Sequence, residues 1–332
     1  MSKAILKRGE SLVVHASVKN HFKRQLYYRD AQSIKEYLRN FEKTSIKHFL
    51  PISEPHLLDY DAITRLTRKY QILSFPSPFK PLEPFDRDYE EVLQRTKVHF
   101  FPFNGRKRKN RSLIYFHGWG RPNFEIEKRF QFPIFQYTYK ADIFAVELPY
   151  HLSRNPRGFS GQGFMDGDPV RTIEGFRQAT SEGIALYKIL RTGYEEVGLC
   201  GVSLGGHIVT MLTLLIKGTQ FSLACLVGTP IRDNLVQLSI SPNLVHSMKS
   251  KIVLETLSIL DFSKIKPRNS KNRNFYLFGG KFDSIILPKT VLRLGKHLQA
   301  NTYFVPTGHF TFPIALPYIC TRIAKWNRES PE

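Results

Sequence analysis

A chain of 332 residues with 42% hydrophobic and 13% aromatic content carries enough apolar material for a sizeable core, which excludes a disordered polymer. Its formal net charge of +21 admits nucleic acid, an anionic membrane surface or an acidic substrate as partner, or a solvated basic surface with none. Three scattered cysteines, Cys200, Cys225 and Cys320, exclude a disulfide framework and a zinc finger.

The opening residues hold no apolar segment followed by a small-residue cleavage site, and the longest apolar run, 208–216, is too short to span a bilayer. A soluble, cytoplasmic protein is the expectation. The basic residues are spread along the chain, with local clusters at 19–29, 106–109 and 264–273. No zinc-finger or RNA-binding signature accompanies them, so weak association with an anionic membrane surface is expected ahead of nucleic-acid binding.

Residues 1–70 form a basic N-terminal extension. Ile34, Tyr37, Leu38 and Phe41 fall on one face of a helix there, packed onto the main domain or lying on a membrane surface. Opening strands follow at 70–75 and 92–103, joined by the proline-rich stretch 76–84. Strand and helix then alternate: strands at 112–116 and 142–148, a helix at 172–191, a strand at 197–200 and a nearly all-apolar helix at 204–216. Strands at 221–227, 274–278 and 302–305 and a closing helix at 313–327 complete the pattern. The alternation predicts an α/β fold, a mostly parallel central sheet with helices on both faces. The stretch 231–271 is longer than a simple connection and reads as a helical, lid-like insertion.

The sequence Gly201-Val202-Ser203-Leu204-Gly205 sits between the short apolar strand and the long apolar helix. Glycines two before and two after the serine permit a strand-to-helix turn tight enough to lift the hydroxyl off the sheet. A serine hydroxyl needs a base to accept its proton, and the base needs an acid to hold its tautomer. Asp283 follows the strand at 274–278 in a glycine-containing loop, and His309 follows the last strand. The order Ser203, Asp283, His309 is that of nucleophile, acid and base in a doubly wound sheet. Asp233 is the alternative acid, and Asp283 is preferred because its loop approaches that of the last strand. The backbone N–H groups of Leu204 and Trp119 are the expected oxyanion hole. His117 is expected to brace that loop or touch substrate, and His207, on the buried helix, to be structural. Arg154 and Arg157 could receive a phosphate or carboxylate of the substrate, or pair with Asp166, Asp168 or Glu174.

Over residues 71–332 these motifs resemble the α/β-hydrolase superfamily. A closer likeness is to the abhydrolase domain-containing protein 18 family and its bacterial relatives. It rests on Leu148-Pro149-Tyr150-His151-x-x-Arg154-x-Pro156, on Asp168–Ala179 and on the run GVSLGG. The chain departs from that family at Leu152, where members commonly carry glycine. The resemblance implies a serine hydrolase of the carboxylesterase or lipase type, with lipid substrates suggested for some members. The expectation is therefore cleavage of a small-molecule or lipid ester or thioester through an acyl-serine, without metal or organic cofactor. An acyltransferase would use the same triad. A non-catalytic binding protein, or a peripheral membrane or nucleic-acid binder, would use the fold without it.

Overall fold

The structure is a computed structural model that describes residues 30–39, 41, 66–82, 91–105, 110–156, 158–165, 168–216, 219–231, 233–234, 251–262 and 274–329. The three basic clusters lie outside these residues or at their margin, and Arg157 lies outside them. Eight strands form one sheet: β1 (Gln71–Pro76), β2 (Arg95–Phe101), β3 (Arg111–Phe116), β4 (Asp142–Val146), β5 (Glu196–Val202), β6 (Phe221–Cys225), β7 (Phe275–Gly280) and β8 (Asn301–Val305). Their spatial order is β1-β2-β4-β3-β5-β6-β7-β8. β2 pairs antiparallel with β1 and with β4, and every other pairing is parallel. The central strands are buried and mostly apolar because helices cover both faces.

Before the sheet comes helix α1 (Ala31–Arg39). The sequence-predicted face holds: Ile34 and Tyr37 are buried, and Tyr37 Oη donates to Glu174 Oε1 at 2.5 Å. Helices α2 (Phe132–Tyr139), α3 (Pro169–Gly193), α4 (Leu204–Leu215), α5 (Lys251–Leu257), α6 (Pro288–Leu298) and α7 (Leu316–Glu329) complete the set. α1, α3, α4 and α5 share one core beside the sheet, and α2 and α7 share the core on the other side. α6 contributes Leu294 and Leu298 to the first and Val291 to the second.

Two helices were absent from the sequence reading. In α2 four aromatics occupy eight positions, and residues of this kind score as strand formers. Only the burial of Phe132, Phe135 and Tyr139, at helical spacing, reveals its type. α6 was hidden by Pro288, which reads as a loop residue but stands in the first helical turn, where its missing N–H costs nothing. The expected lid is described only at 231, 233–234 and 251–262. Its α5 turns Val253, Thr256 and Leu257 inward and packs against α3 and α1.

The chain order reverses at β3, which lies between β4 and β5. The loop leaving β3 and the turn leaving β5 therefore emerge side by side at the carboxyl edge of the sheet, where such folds place their sites.

Candidate active site

Ser203 begins at a backbone strain. Its φ of 56° and ψ of −115° are unfavourable for a residue with a Cβ, and nothing in the side chain requires them. The turn is forced by close approach. A Cβ on Gly205 would overlap the Phe116 carbonyl at the end of β3, and one on Gly201 would overlap the Gly205 carbonyl. Ser203 N donates to Cys225 O at 2.8 Å, tying the elbow to β6. The hydroxyl is thus pushed out of the sheet edge by packing beneath it.

Asp283 and His309 reach the serine because their loops are stitched together. Lys281 N donates to Val305 O at 2.8 Å and Phe282 N to Thr307 O at 3.0 Å. Asp283 Oδ1 accepts from Ile285 N and Ile286 N, each at 2.8 Å, which fixes the carboxylate before any histidine is considered. Oδ2 lies 2.9 Å from His309 Nδ1, and His309 Nε2 lies 3.1 Å from Ser203 Oγ. An anionic partner at Nδ1 keeps the proton there and leaves Nε2 as the acceptor facing the hydroxyl. Asp233 stands elsewhere, partly exposed, with Oδ2 3.8 Å from Arg293 Nη1.

Leu204 is the first residue of α4, so its N–H has no acceptor within the helix. Trp119 lines the same cavity, and its indole Nε1 donates to Gly161 O at 2.7 Å. His117 is fully buried below the loop, outside the cavity lining. Its Nδ1 bonds Gly118 O at 2.8 Å and its Nε2 accepts from Leu148 N at 3.2 Å, so it joins the β3 loop to the end of β4. Burial, with a smaller push from nearby His151, holds its pKa well below the usual imidazole range. A substrate contact by His117 is thereby replaced by the bracing role.

His207 is buried on the helix as expected, and it also reaches the site. It lines the cavity, with Nδ1 3.1 Å from Ser203 O, and burial lowers its pKa to about 4. Arg154 is the larger correction. It is completely buried, gives two hydrogen bonds of 2.7 Å to Glu182, and also donates to Glu147 O and Leu93 O. Every one of those acceptors is an internal group of the fold, so Arg154 is a fastening and not a substrate receptor. Leu152 has φ of 49°, in the left-handed region that glycine enters freely, which accounts for the glycine of the resembling family at that position.

The cavity over Ser203 encloses about 520 Å³. Its walls are mainly apolar, with Phe176, Leu226, Ile285 and Phe312 among them. Arg121 and Gln131 also line it, and the sequence reading passed over both because neither stands in a motif. Among the described residues no group of three or more His, Cys, Asp or Glu is placed to hold a metal.

The esterase Pf2001 of Pyrococcus furiosus superposes on this structure with a TM-score of 0.52 at 12% identity, covering 84% of this chain and 98% of its own. The chain has the α/β-hydrolase fold. The peroxisomal α/β-hydrolase Lpx1 of Saccharomyces cerevisiae is also similar, with a TM-score of 0.49, 14% identity and coverage of 80% and 91%. No protein-family model matches the chain. Two uncharacterised proteins of Mycobacterium tuberculosis, MT2702 (strain CDC 1551 / Oshkosh) and Rv2627c (strain ATCC 25618 / H37Rv), are each 27% identical over 177 residues. That match spans 50% of this chain and 41% of either relative, under half their length. Within this fold, no helix among the described residues is long and apolar enough to cross a membrane.

Proposed function

We propose that the protein is a serine hydrolase cleaving a carboxylic ester or thioester through an acyl-serine intermediate. The observation that carries this reading is the chain Asp283–His309–Ser203, with links of 2.9 and 3.1 Å, ending on a serine held at φ 56°. Ser203 Oγ attacks the carbonyl carbon while His309 Nε2 takes its proton, and Asp283 stabilises the imidazolium that results. The oxyanion faces the N–H groups of Leu204 and Trp119; each such donor is worth about 10²–10³ in rate. Collapse of the adduct breaks the bond to the alkoxide or thiolate, which receives the proton from His309. Water then repeats the sequence against the acyl-serine, His309 taking its proton and returning it to Ser203.

The apolar cavity supports a lipid-like acyl group. At its mouth Ile126 and Phe310 line the wall yet stand half exposed, with exposed Phe130 and Ile314 four residues further along each segment. Such a rim suits a substrate presented at a lipid surface, in keeping with the motif resemblance described above.

Labelling by a fluorophosphonate probe tests the reading. The wild type should become covalently labelled and the Ser203→Ala variant should not. A folded wild type that resists even small probes would remove the hydrolase reading in favour of a binding protein.

A further inference from the structure

Among the described residues that line the cavity, Arg121 is the sole lysine or arginine and none is an aspartate or glutamate. Its Nε lies 2.9 Å from Oε1 of Glu127, whose side chain is entirely buried. The contact is an ion pair, and neither oxygen of that carboxylate has a hydrogen-bond partner among the described residues. Burial raises its pKa, and the Arg121 charge opposes that rise. Among the described residues the contact recorded for the Arg121 side chain is the one at Nε, and 29% of the side chain is exposed. One edge of the guanidinium is thus anchored and the other is open.

The backbone beneath it is held as firmly. Ser160 Oγ donates to the Arg121 carbonyl, and the same oxygen accepts from Leu152 N at 3.0 Å. The neighbouring Trp119 is pinned to Gly161, and His117 braces the loop from below. Gln131 lines the same cavity, its amide oxygen accepting from Tyr115 Oη at 3.0 Å, so its NH₂ group is a second donor. A buried carboxylate fixing an arginine is costly when its only result is a neutral pair, because two charges must leave water. The arrangement makes physical sense when the open edge of the fork receives an anion, since a planar guanidinium matches a carboxylate or phosphate oxygen pair.

We propose that Arg121 is the anion receptor of this cavity and that the substrate is an ester carrying a carboxylate or phosphate group. This rests on the hydrolase reading for the word ester, while the anion site itself does not. Glu127 is a positioning residue, and Arg121 sets specificity by touching the part of the substrate that does not react. An interaction made equally before and during the reaction acts through KM more than kcat.

The test uses p-nitrophenyl esters of one acyl length ending in a methyl group, a carboxylate or a phosphate. The measured quantity is kcat/KM for each anionic ester divided by that for the methyl-ended one. This ratio should exceed about 10 in the wild type and fall about 10- to 100-fold in Arg121→Gln, mostly through KM, the range for a charged hydrogen bond. Arg121→Lys, which keeps the charge but not the fork, should retain part of it and controls for folding. The larger of the two anionic ratios identifies the group as carboxylate or phosphate. A wild-type ratio near one, or the same ratio in Arg121→Gln, overturns the proposal. Calorimetric titration of Ser203→Ala with monomethyl glutarate against dimethyl glutarate separates this site from the hydrolase reading. Arg121-dependent preference for the half-ester in a protein that resists fluorophosphonates would keep the anion site and discard the hydrolase. Normal labelling without that preference would do the reverse.

Discussion

The mainly apolar cavity and the buried face of α3 both hold charged and hydrogen-bonding side chains, and they use them in opposite ways. Under α3 the Arg154 guanidinium meets both oxygens of Glu182, which also accept from Ser77 Oγ and Gln178 Nε2. A second pair, Arg177 and Glu174, is closed by Tyr37 Oη and by Leu82 N. At the cavity polar groups face the lumen instead: Ser203 Oγ meets the His309 base at 3.1 Å, and Arg121 lines the wall with one edge held by Glu127. Charges closed against internal partners fasten segments; groups that face the cavity are available for chemistry. The contrast separates the residues whose loss should cost reactivity from those whose loss should cost the fold.

The sharpest break should come at His309. Replacing it by alanine removes the acceptor for the serine proton and should lower the rate of ester cleavage by about 10²–10⁴. Asp283 keeps its two backbone donors, so the denaturation midpoint should move far less than the rate. An activity within tenfold of wild type would dismiss His309 as the base. Across the molecule the expectation is inverted. Arg154→Met strands Glu182 in the interior and should destabilise by about 3–5 kcal/mol, measured by urea unfolding. The double variant Arg154→Met/Glu182→Leu should regain most of that loss. The molecules that remain folded should react with fluorophosphonate at the wild-type rate.

A third comparison uses pH. His117, His151 and His207 are buried, and burial lowers the last two to about 4 and the first well below the usual imidazole range. In the unfolded chain each takes up a proton near pH 6.5. Between about 6.5 and 4 the unfolded state therefore binds more protons, and stability falls as the pH falls through that window. Each histidine contributes at most about 1.4 kcal/mol per pH unit, with full stability above about 6.5. Urea midpoints at pH 7.5, 6 and 5 should decline, and His151→Gln should flatten the decline; equal midpoints would contradict it.

The same contrast governs what the sequence discloses. The triad is written locally: a serine between close-packed glycines, an aspartate just past one strand and a histidine just past the next. Local chemistry of that kind survives translation into one dimension. The inner strands were equally plain, because helices on both faces make them mostly apolar runs. The α3 fastening was not, since Arg154 and Glu182 lie 28 residues apart and Tyr37 and Glu174 lie 137 apart. The sequence offers Arg154 a substrate anion or a nearby acid, Asp166, Asp168 or Glu174, and shows no sign of its actual partner Glu182. Arg121 was overlooked for the complementary reason: it belongs to the site through the path of a loop and not through a pattern. α2 and α6 were lost to aromatic content and to a first-turn proline, where tertiary burial overrides local propensity.

The Tyr37–Glu174 bond has a consequence for the order in which the molecule is assembled. α1 leaves the ribosome well before α3, and α3 must be made before Tyr37 can be buried against Glu174. Closing so long a loop is an entropic cost met only after the sheet and α3 provide the receiving surface. α1 should accordingly dock late during synthesis and detach early during unfolding, as a unit that opens while the sheet stays closed. Its detachment would admit water to Glu174 and Arg177. The first described helix to be made is among the last that the fold can place.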